Sequence, residues 1–230
     1  KDQIDELVKM DAPLKNMETD EPISTVQDKI LSANVYFGAF PIVEALHKGA
    51  NIIITGRTTD TGLTLAPMIY EFGWKNTDYD LLSAGTVAGH ILECGGQSSG
   101  GNFLGDWQSI PNLAEIGFPI AEAYPNGEVI ITKHYNTGGR VSFETVAEQL
   151  LYEIGDPKSY ITPDCVADFT SIKLEDFGND RVKMFDVKGL PETEFYKVSC
   201  SYSDGFSAVS SLTYSWPKAL SKARVADEIL

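Results

Sequence analysis

The sequence feature that most constrains the fold is a helix, a glycine, an apolar run, a glycine turn and a second helix, all between Pro41 and Phe72. Pro41 suits the first turn of a helix, and Gly49 suits its end. Asn51–Ile54 is a short β-branched run that predicts a strand, and Gly56 allows a sharp turn after it. This order is typical of α/β proteins with parallel strands and right-handed crossovers.

The turn after the predicted strand is a candidate substrate-binding loop. Thr58, Thr59 and Asp60 are successive candidates for the N-cap of the next helix. Such a turn presents backbone N–H groups at the carboxyl end of a strand, where α/β sheets bind ligands. We therefore predict that Gly56, Arg57, Thr58 and Thr59 bind an anionic group. The alternative is that Thr59 or Asp60 only caps the helix and that Arg57 pairs with a nearby carboxylate.

The charge of the chain limits its partners. With 33 acidic and 18 basic residues, the 230-residue chain has a formal net charge of −15. This charge argues against nucleic acid or an anionic membrane as the main partner, and an anionic substrate would need a local positive site. No apolar run approaches the roughly 20 residues of a membrane-spanning helix, and three widely spaced cysteines fit reduced thiols. We expect a cytoplasmic protein.

A second helix is predicted from Leu81 to Cys94. One side of it is small, which indicates close packing against another helix or the sheet; that side contains Ala84, Gly85, Ala88 and Gly89. His90 and Cys94 lie four residues apart and could face one another. Nothing nearby completes a metal site at a recognisable spacing, so we identify neither a metal nor a cofactor. The open alternatives for His90 are a hydrogen-bonded core residue and a catalytic residue.

The stretch Gly95–Asn102 holds four glycines in eight residues. Its residues 96–100 match the G-x-S-x-G pattern of hydrolases, but that pattern requires a preceding strand, and here a helix precedes it. A loop that closes over a ligand suits this glycine density better. We predict that Ser98, Gly100, Gly101 and Asn102 contact the substrate.

A third glycine-bearing loop follows a predicted hairpin. Pro119–Lys133 is apolar on both sides of Pro125-Asn126-Gly127, a strong hairpin signal. The loop Thr137–Ser142 then leads into a predicted helix, Phe143–Ile154. This loop supplies three further candidates for substrate binding, namely Gly138, Gly139 and Arg140. If the loops are neighbours, Arg57 and Arg140 would clamp one anion from two sides. Neither loop is a nucleotide-binding fingerprint.

The character of the sequence changes near Tyr160. Strands are predicted at residues 166–174, 181–187, 195–202 and 207–214, followed by a helix at Pro217–Leu230. The predicted fold is therefore α/β, with a mixed or mostly parallel sheet and flanking helices, followed by a smaller antiparallel β-rich lobe. The expected domains are residues 1–157 and residues 158–230.

Several long blocks of the chain resemble the acyclic terpene utilisation (AtuA-type) family. The resembling blocks, which together cover most of residues 33–230, are Ala33–Trp74, Ala84–Phe103, Ile116–Lys133, Thr137–Pro157 and the closing SWPKALSKARVADEIL. The resemblance implies that further α/β residues precede residue 1. It also implies a catabolic step on a branched or terpenoid acyl group carried as a coenzyme A thioester. No catalytic residue is carried over from the family.

Two functions from different classes fit this resemblance. The first is an acyl-CoA hydratase or lyase, in which Asp60, His90 and Glu93 are the candidates for proton transfer because such chemistry needs acid–base groups inside a pocket. The second is a non-catalytic subunit that binds or positions an acyl-CoA-processing partner. With either function, we expect a small acyl substrate. The chain could form a homo-oligomer or bind a small partner subunit, and both alternatives stay open. Convergence of the loops on one deep pocket would favour the enzyme, whereas a flat apolar face along the last helix would favour the subunit.

Overall fold

The computed structural model describes residues 2–229, which divide into two compact units. One unit is residues 33–199, and the other combines the residues up to 32 with those from 200 onward. The sequence-based division at residue 157 stays a prediction, although strand pairing joins its two sides within the larger unit: residues 129–131 pair with residues 182–184.

Within the described residues, six helices and nine strands are formed. The helices are α1 (Ile4–Lys9), α2 (Phe40–His47), α3 (Gly62–Phe72), α4 (Tyr79–Glu93), α5 (Phe143–Leu151) and α6 (Ala219–Ile229). The strands are β1 (Ile30–Val35), β2 (Pro119–Ala123), β3 (Val129–Lys133), β4 (Tyr160–Ile161), β5 (Val166–Asp168), β6 (Lys173–Asp176), β7 (Val182–Phe185), β8 (Lys188–Leu190) and β9 (Val198–Tyr202).

The chain is a mixed α/β protein, but the expectation of a mostly parallel sheet is wrong. The sheet orders are β2-β3-β7-β6, β4-β5-β8 and β1-β9. All pairs within the first two sheets are antiparallel. Parallel pairing occurs at two isolated bridges, Phe37 with Thr58 and Ile116 with Gly138. Parallel strands are expected from the order of helix, apolar run, glycine turn and helix, but the apolar run forms no strand, and strand direction depends on contacts between distant segments.

The predicted strand at Asn51–Ile54 is also wrong. This segment has no regular structure, and the side chains of Ile52 and Ile54 are 85% and 93% exposed. Ile53 alone packs against the core. A β-branched run becomes a strand only when a neighbouring strand takes up its backbone hydrogen bonds, and within residues 2–229 no strand pairs with this run.

The local signals in the middle of the chain are confirmed. β2 and β3 form the predicted hairpin, with Ala123 opposite Val129 across the turn. The indole of Trp74 donates a hydrogen bond of 3.0 Å to the carbonyl of Pro125 in that turn. After β3, the glycine-bearing loop enters α5 through a capping box formed by Ser142 and Thr145.

Helix α4 lies at the centre of the larger unit. Every residue from Leu82 to Ile91 is buried, and the helix contacts α3, α5 and the strands β5 and β8. The predicted close packing of its small side is confirmed at Gly85 and Gly89. A Cβ atom at Gly89 would lie 2.6 Å from Cα of Thr61, and one at Gly85 would lie 2.5 Å from Cδ1 of Leu65. Glycine at these positions therefore brings the start of α3 against α4.

A buried carboxylate accepts the free N–H groups at the start of α2. Both carboxylate oxygens of Asp164 lie 2.9 Å from the backbone nitrogen of Ala39, and Phe40 N–H adds a further hydrogen bond. Gly38 passes so close to this carboxylate that a Cβ atom there would collide with it. The contact fixes the entry of the chain into α2.

The smaller unit contains α1 and α6. The predicted helix at the end of the chain is confirmed as Ala219–Ile229, while Leu230 lies outside the described residues. The predicted strand at residues 207–214 is wrong, because residues 203–215 have no regular structure and expose Phe206 and Val209. Within residues 2–229, no helix combines the length and the apolar character needed to cross a membrane.

Candidate functional site

A pocket of about 280 Å³ opens within the unit of residues 33–199. It lies between the start of α3, the last turn of α4 and the segment around β4. Its lining includes all three candidates for acid–base work, Asp60, His90 and Glu93, and one predicted binding residue, Thr59. The other lining residues are Tyr36, Thr61, Glu153, Tyr160, Ile161, Thr162, Pro163, Phe195, Tyr196 and Lys197.

Backbone hydrogen bonds place the segment before α3 at this pocket. Phe37 donates to the carbonyl of Arg57 at 3.2 Å, and Thr59 donates to the carbonyl of Phe37 at 2.9 Å. The hydroxyl of Thr58 also donates to the Phe37 carbonyl, at 2.9 Å. Because Gly89 allows Thr61 to touch α4, Asp60 is held beside the last turn of that helix.

His90 is buried and has a fixed tautomer. Its Nε2 lies 3.0 Å from the backbone carbonyl of Gln149, and the side-chain amide of Gln149 donates to the His90 carbonyl at 3.1 Å. A carbonyl oxygen can only accept a hydrogen bond, so Nε2 must carry a proton. The rings of Tyr160 and Phe169 pack edge-on against the imidazole at 5.7 and 5.4 Å.

The other nitrogen of His90 faces a carboxylate. Nδ1 lies 3.2 Å from Oε1 of Glu93, a contact without hydrogen-bond geometry, and the Glu93 side chain is 18% exposed. Since Nε2 already carries a proton, a neutral imidazole would point its Nδ1 lone pair at a negative oxygen. His90 and Glu93 thus lie side by side in the pocket, and Glu93 is the more accessible of the two.

The pocket is acidic. Burial raises the pKa of Tyr160 to about 12, and the nearby carboxylates of Glu93, Asp60 and Glu153 add to the increase. Tyr160 therefore stays protonated at neutral pH and can donate a hydrogen bond. Burial, together with the same three carboxylates, also raises the pKa of the Cys94 thiol. Cys94 is therefore a thiol, which is a poor nucleophile.

The other two glycine-bearing loops pack against each other, outside this pocket. Arg140 N–H donates to the carbonyl of Ser99 at 2.8 Å, and a Cβ atom at Gly139 would lie 2.8 Å from the same oxygen. The guanidinium of Arg140 lies over Phe103 and donates to Ser109 Oγ at 3.2 Å.

The remaining predicted binding residues divide between the two regions. Gly138 pairs with Ile116, Ser98 and Gly100 are buried, and Gly101 and Asn102 are exposed near them. Gly56 has open space around it. Arg57 lies over the ring of Tyr36, 5.4 Å from its centroid. Thus Arg57 lies against Tyr36, which lines the acidic pocket, and Arg140 lies beside Phe103. A role of any of these residues in substrate binding stays a prediction.

Sequence reasoning missed several residues of the pocket. Tyr36, Glu153, Tyr160 and Lys197 line it, and Gln149 fixes His90 from α5. They come from segments far apart in the chain, and none belongs to a motif, so only their contacts identify them. Within residues 2–229, no group of three or more His, Cys, Asp or Glu side chains is arranged to hold a metal ion.

Comparison with known proteins gives one family match. A family model described as "Acyclic terpene utilisation family protein AtuA" matches residues 1–230. No curated protein and no solved structure gives a significant match to the chain. The match does not support the expectation that residues are missing before residue 1, which stays a prediction.

Proposed function

Because this chain belongs to the acyclic terpene utilisation (AtuA) family, we propose that it catalyses an acid–base step on a branched acyl group carried as a coenzyme A thioester, of the hydratase or lyase type. One observation carries the proposal: three acid–base groups, Asp60, His90 and Glu93, meet in one pocket, although only the first of the three glycine-bearing loops reaches it. Proton-transfer catalysis requires such a group within reach of a bound substrate.

The proposed chemistry is addition of water across the α,β double bond of the thioester. The free oxygen of Glu93 takes a proton from water while the water oxygen bonds to the β-carbon. Glu93 then delivers that proton to the α-carbon, so the carboxylate returns to its starting state. His90 lies beside Glu93, with Nδ1 3.2 Å from Oε1. Asp60 orients the water, and Tyr160 donates a hydrogen bond to the thioester oxygen. The lyase direction is the reverse of these steps.

Replacement of the proton-transfer groups tests this function. We expect Glu93→Gln to lower the rate of hydration of a branched α,β-unsaturated acyl-CoA by about 100-fold or more, since the amide cannot accept a proton. Asp60→Asn and His90→Gln should also lower the rate. Glu44→Gln is a matched control, because Glu44 is an exposed helical residue paired with Lys48. Turnover by all three pocket variants at the control rate would contradict the proposal.

A second candidate function is a non-catalytic binding subunit, and α6 gives a reason to keep it. Leu220, Val225 and Ile229 on this helix are 67%, 55% and 78% exposed, and exposed apolar surface is typical of interaction sites. A thermal-shift titration with branched acyl-CoAs separates the two functions. A ligand at a hundredfold excess over its dissociation constant stabilises the folded protein by about 2.7 kcal/mol. Stabilisation without turnover would favour the subunit.

A further inference from the structure

Two cations lie against one aromatic ring at the acidic pocket. The Arg57 guanidinium carbon is 5.4 Å from the centroid of the Tyr36 ring, and Nζ of Lys197 is 5.6 Å from the same centroid. Tyr36 and Lys197 both line the pocket. The ring therefore brings together two positive groups from segments 140 positions apart in the chain.

The backbone explains this juxtaposition. Tyr36 N–H donates to the carbonyl of Lys197 at 3.0 Å, while the next residue, Phe37, donates to the carbonyl of Arg57 at 3.2 Å. The segment at residues 36–37 is thus hydrogen-bonded to both cation-bearing segments. Both cations are held beside the ring by regular backbone contacts rather than by surface side chains alone.

The two cations are not neutralised by the protein. Within residues 2–229, neither Arg57 nor Lys197 forms an ion pair with a carboxylate, although six other lysines and arginines of the same unit do. In a chain with a net charge of −15, two cations at one ring without ion-pair partners form a local positive site of the kind that an anionic ligand needs. Their separate positions suit an anion with two charged centres better than a single carboxylate.

We propose that Arg57, Lys197 and Tyr36 form a subsite for the diphosphate group of the substrate. This inference rests on the proposed function, because coenzyme A thioesters carry a diphosphate. The arrangement orients the ligand. The diphosphate binds the two cations, and the carboxylates of Asp60, Glu93 and Glu153 repel it from their part of the pocket, which is left to the uncharged end of the substrate. The reacting end then lies next to Glu93.

Inorganic pyrophosphate is the direct probe of this subsite. Titration calorimetry on the whole chain at low salt should detect its binding, and the affinity should fall as salt is added. Arg57→Gln and Lys197→Gln should each weaken pyrophosphate binding by about tenfold, since each removes a charge-assisted contact. Both side chains are exposed, so the variants should fold. Lys48→Gln and Lys158→Gln, at exposed positions outside the pocket, should bind like the unchanged protein.

The result that overturns the subsite is the absence of pyrophosphate binding, or binding that neither pocket variant weakens. Coenzyme A and a branched prenyl diphosphate, titrated in parallel, distinguish the two sources of the diphosphate. If coenzyme A binds more tightly than the prenyl diphosphate and both variants weaken its binding, the result supports the subsite together with the proposed function. If the prenyl diphosphate binds more tightly than coenzyme A and both variants weaken its binding, the result supports the subsite and contradicts the acyl-CoA function. Hydration that depends on Glu93 but not on Arg57 or Lys197 supports the acyl-CoA function and contradicts the subsite.

Discussion

Gly38 shows how a single residue can set the packing at the start of α2. A Cβ atom at this position would collide with the carboxylate of Asp164, and that carboxylate cannot retreat without losing its hydrogen bonds to the start of α2. The φ angle of Gly38 lies outside the left-handed region that favours glycine. Its role is therefore close packing and not conformational freedom.

We expect Gly38→Ala to lower the free energy of unfolding by about 1–3 kcal/mol, the usual range for overpacking a buried site. Gly155→Ala is the matched control. A Cβ atom at Gly155 meets nothing within 4 Å, so this variant should be neutral or slightly more stable. Urea unfolding followed by circular dichroism measures both. Equal stability of the two variants would show that Asp164 does not press on Gly38.

At the scale of elements, α2 depends on a carboxylate that is distant in sequence. Asp164 is 5% exposed, and burial raises its pKa to about 6, although hydrogen bonds from Ala39 and Phe40 act in the opposite direction. The ordinary pKa of aspartate is 3.8, so the folded state binds this proton more tightly than the unfolded state does. The contribution of Asp164 to stability is therefore largest at low pH and declines as the pH rises from about 4 to about 6.

Comparison with Asp164→Asn isolates this contribution. The unchanged protein should lose on the order of 2–3 kcal/mol of stability relative to the variant between pH 4 and pH 7, because its folded state gives up this proton at a higher pH than its unfolded state does. Carboxylates with lowered pKa, such as Asp80 and Glu122, give the opposite slope in both proteins and cancel in the difference. Urea unfolding of both proteins across this range measures the effect. A stability difference that does not change with pH would contradict it.

The elements also show what sequence can predict. The hairpin of β2 and β3 follows from Pro125-Asn126-Gly127, and the start of α5 follows from the glycine-bearing loop before Phe143. Both predictions are confirmed. The strand at Asn51–Ile54 fails because its formation depends on a neighbour that the run itself does not encode. Local signals thus identify helices and turns here, whereas strand pairing and sheet direction come from contacts between distant segments.

The candidate site follows the same rule at the scale of the whole chain. Asp60, His90 and Glu93 could be chosen from the sequence because acid–base residues lie near a glycine turn and on a small-sided helix. The residues that contact these groups in the pocket could not be identified from the sequence. Gln149 fixes the tautomer of His90 from 59 positions away, and Lys197 reaches the pocket from the end of the larger unit.

The net charge of −15 gives a prediction for the whole molecule. Repulsion among excess carboxylates destabilises the compact state more than the extended one, and salt screens that repulsion. We therefore expect the melting temperature at pH 7.5 to rise by a few degrees, roughly, between 10 and 200 mM sodium chloride. The ion pairs of the larger unit are weakened by the same salt, but most are solvent-exposed and contribute little.

The same measurement near pH 5 is the internal control. There the chain approaches its isoelectric point of about 4.5, so little net repulsion remains to be screened, and the rise should disappear or reverse. A melting temperature that falls with salt at pH 7.5 would mean that attractive pairs outweigh the excess of carboxylates. A rise of equal size at both pH values would point to salt acting on apolar surface instead. Only a pH-dependent rise is consistent with charge repulsion across the folded chain.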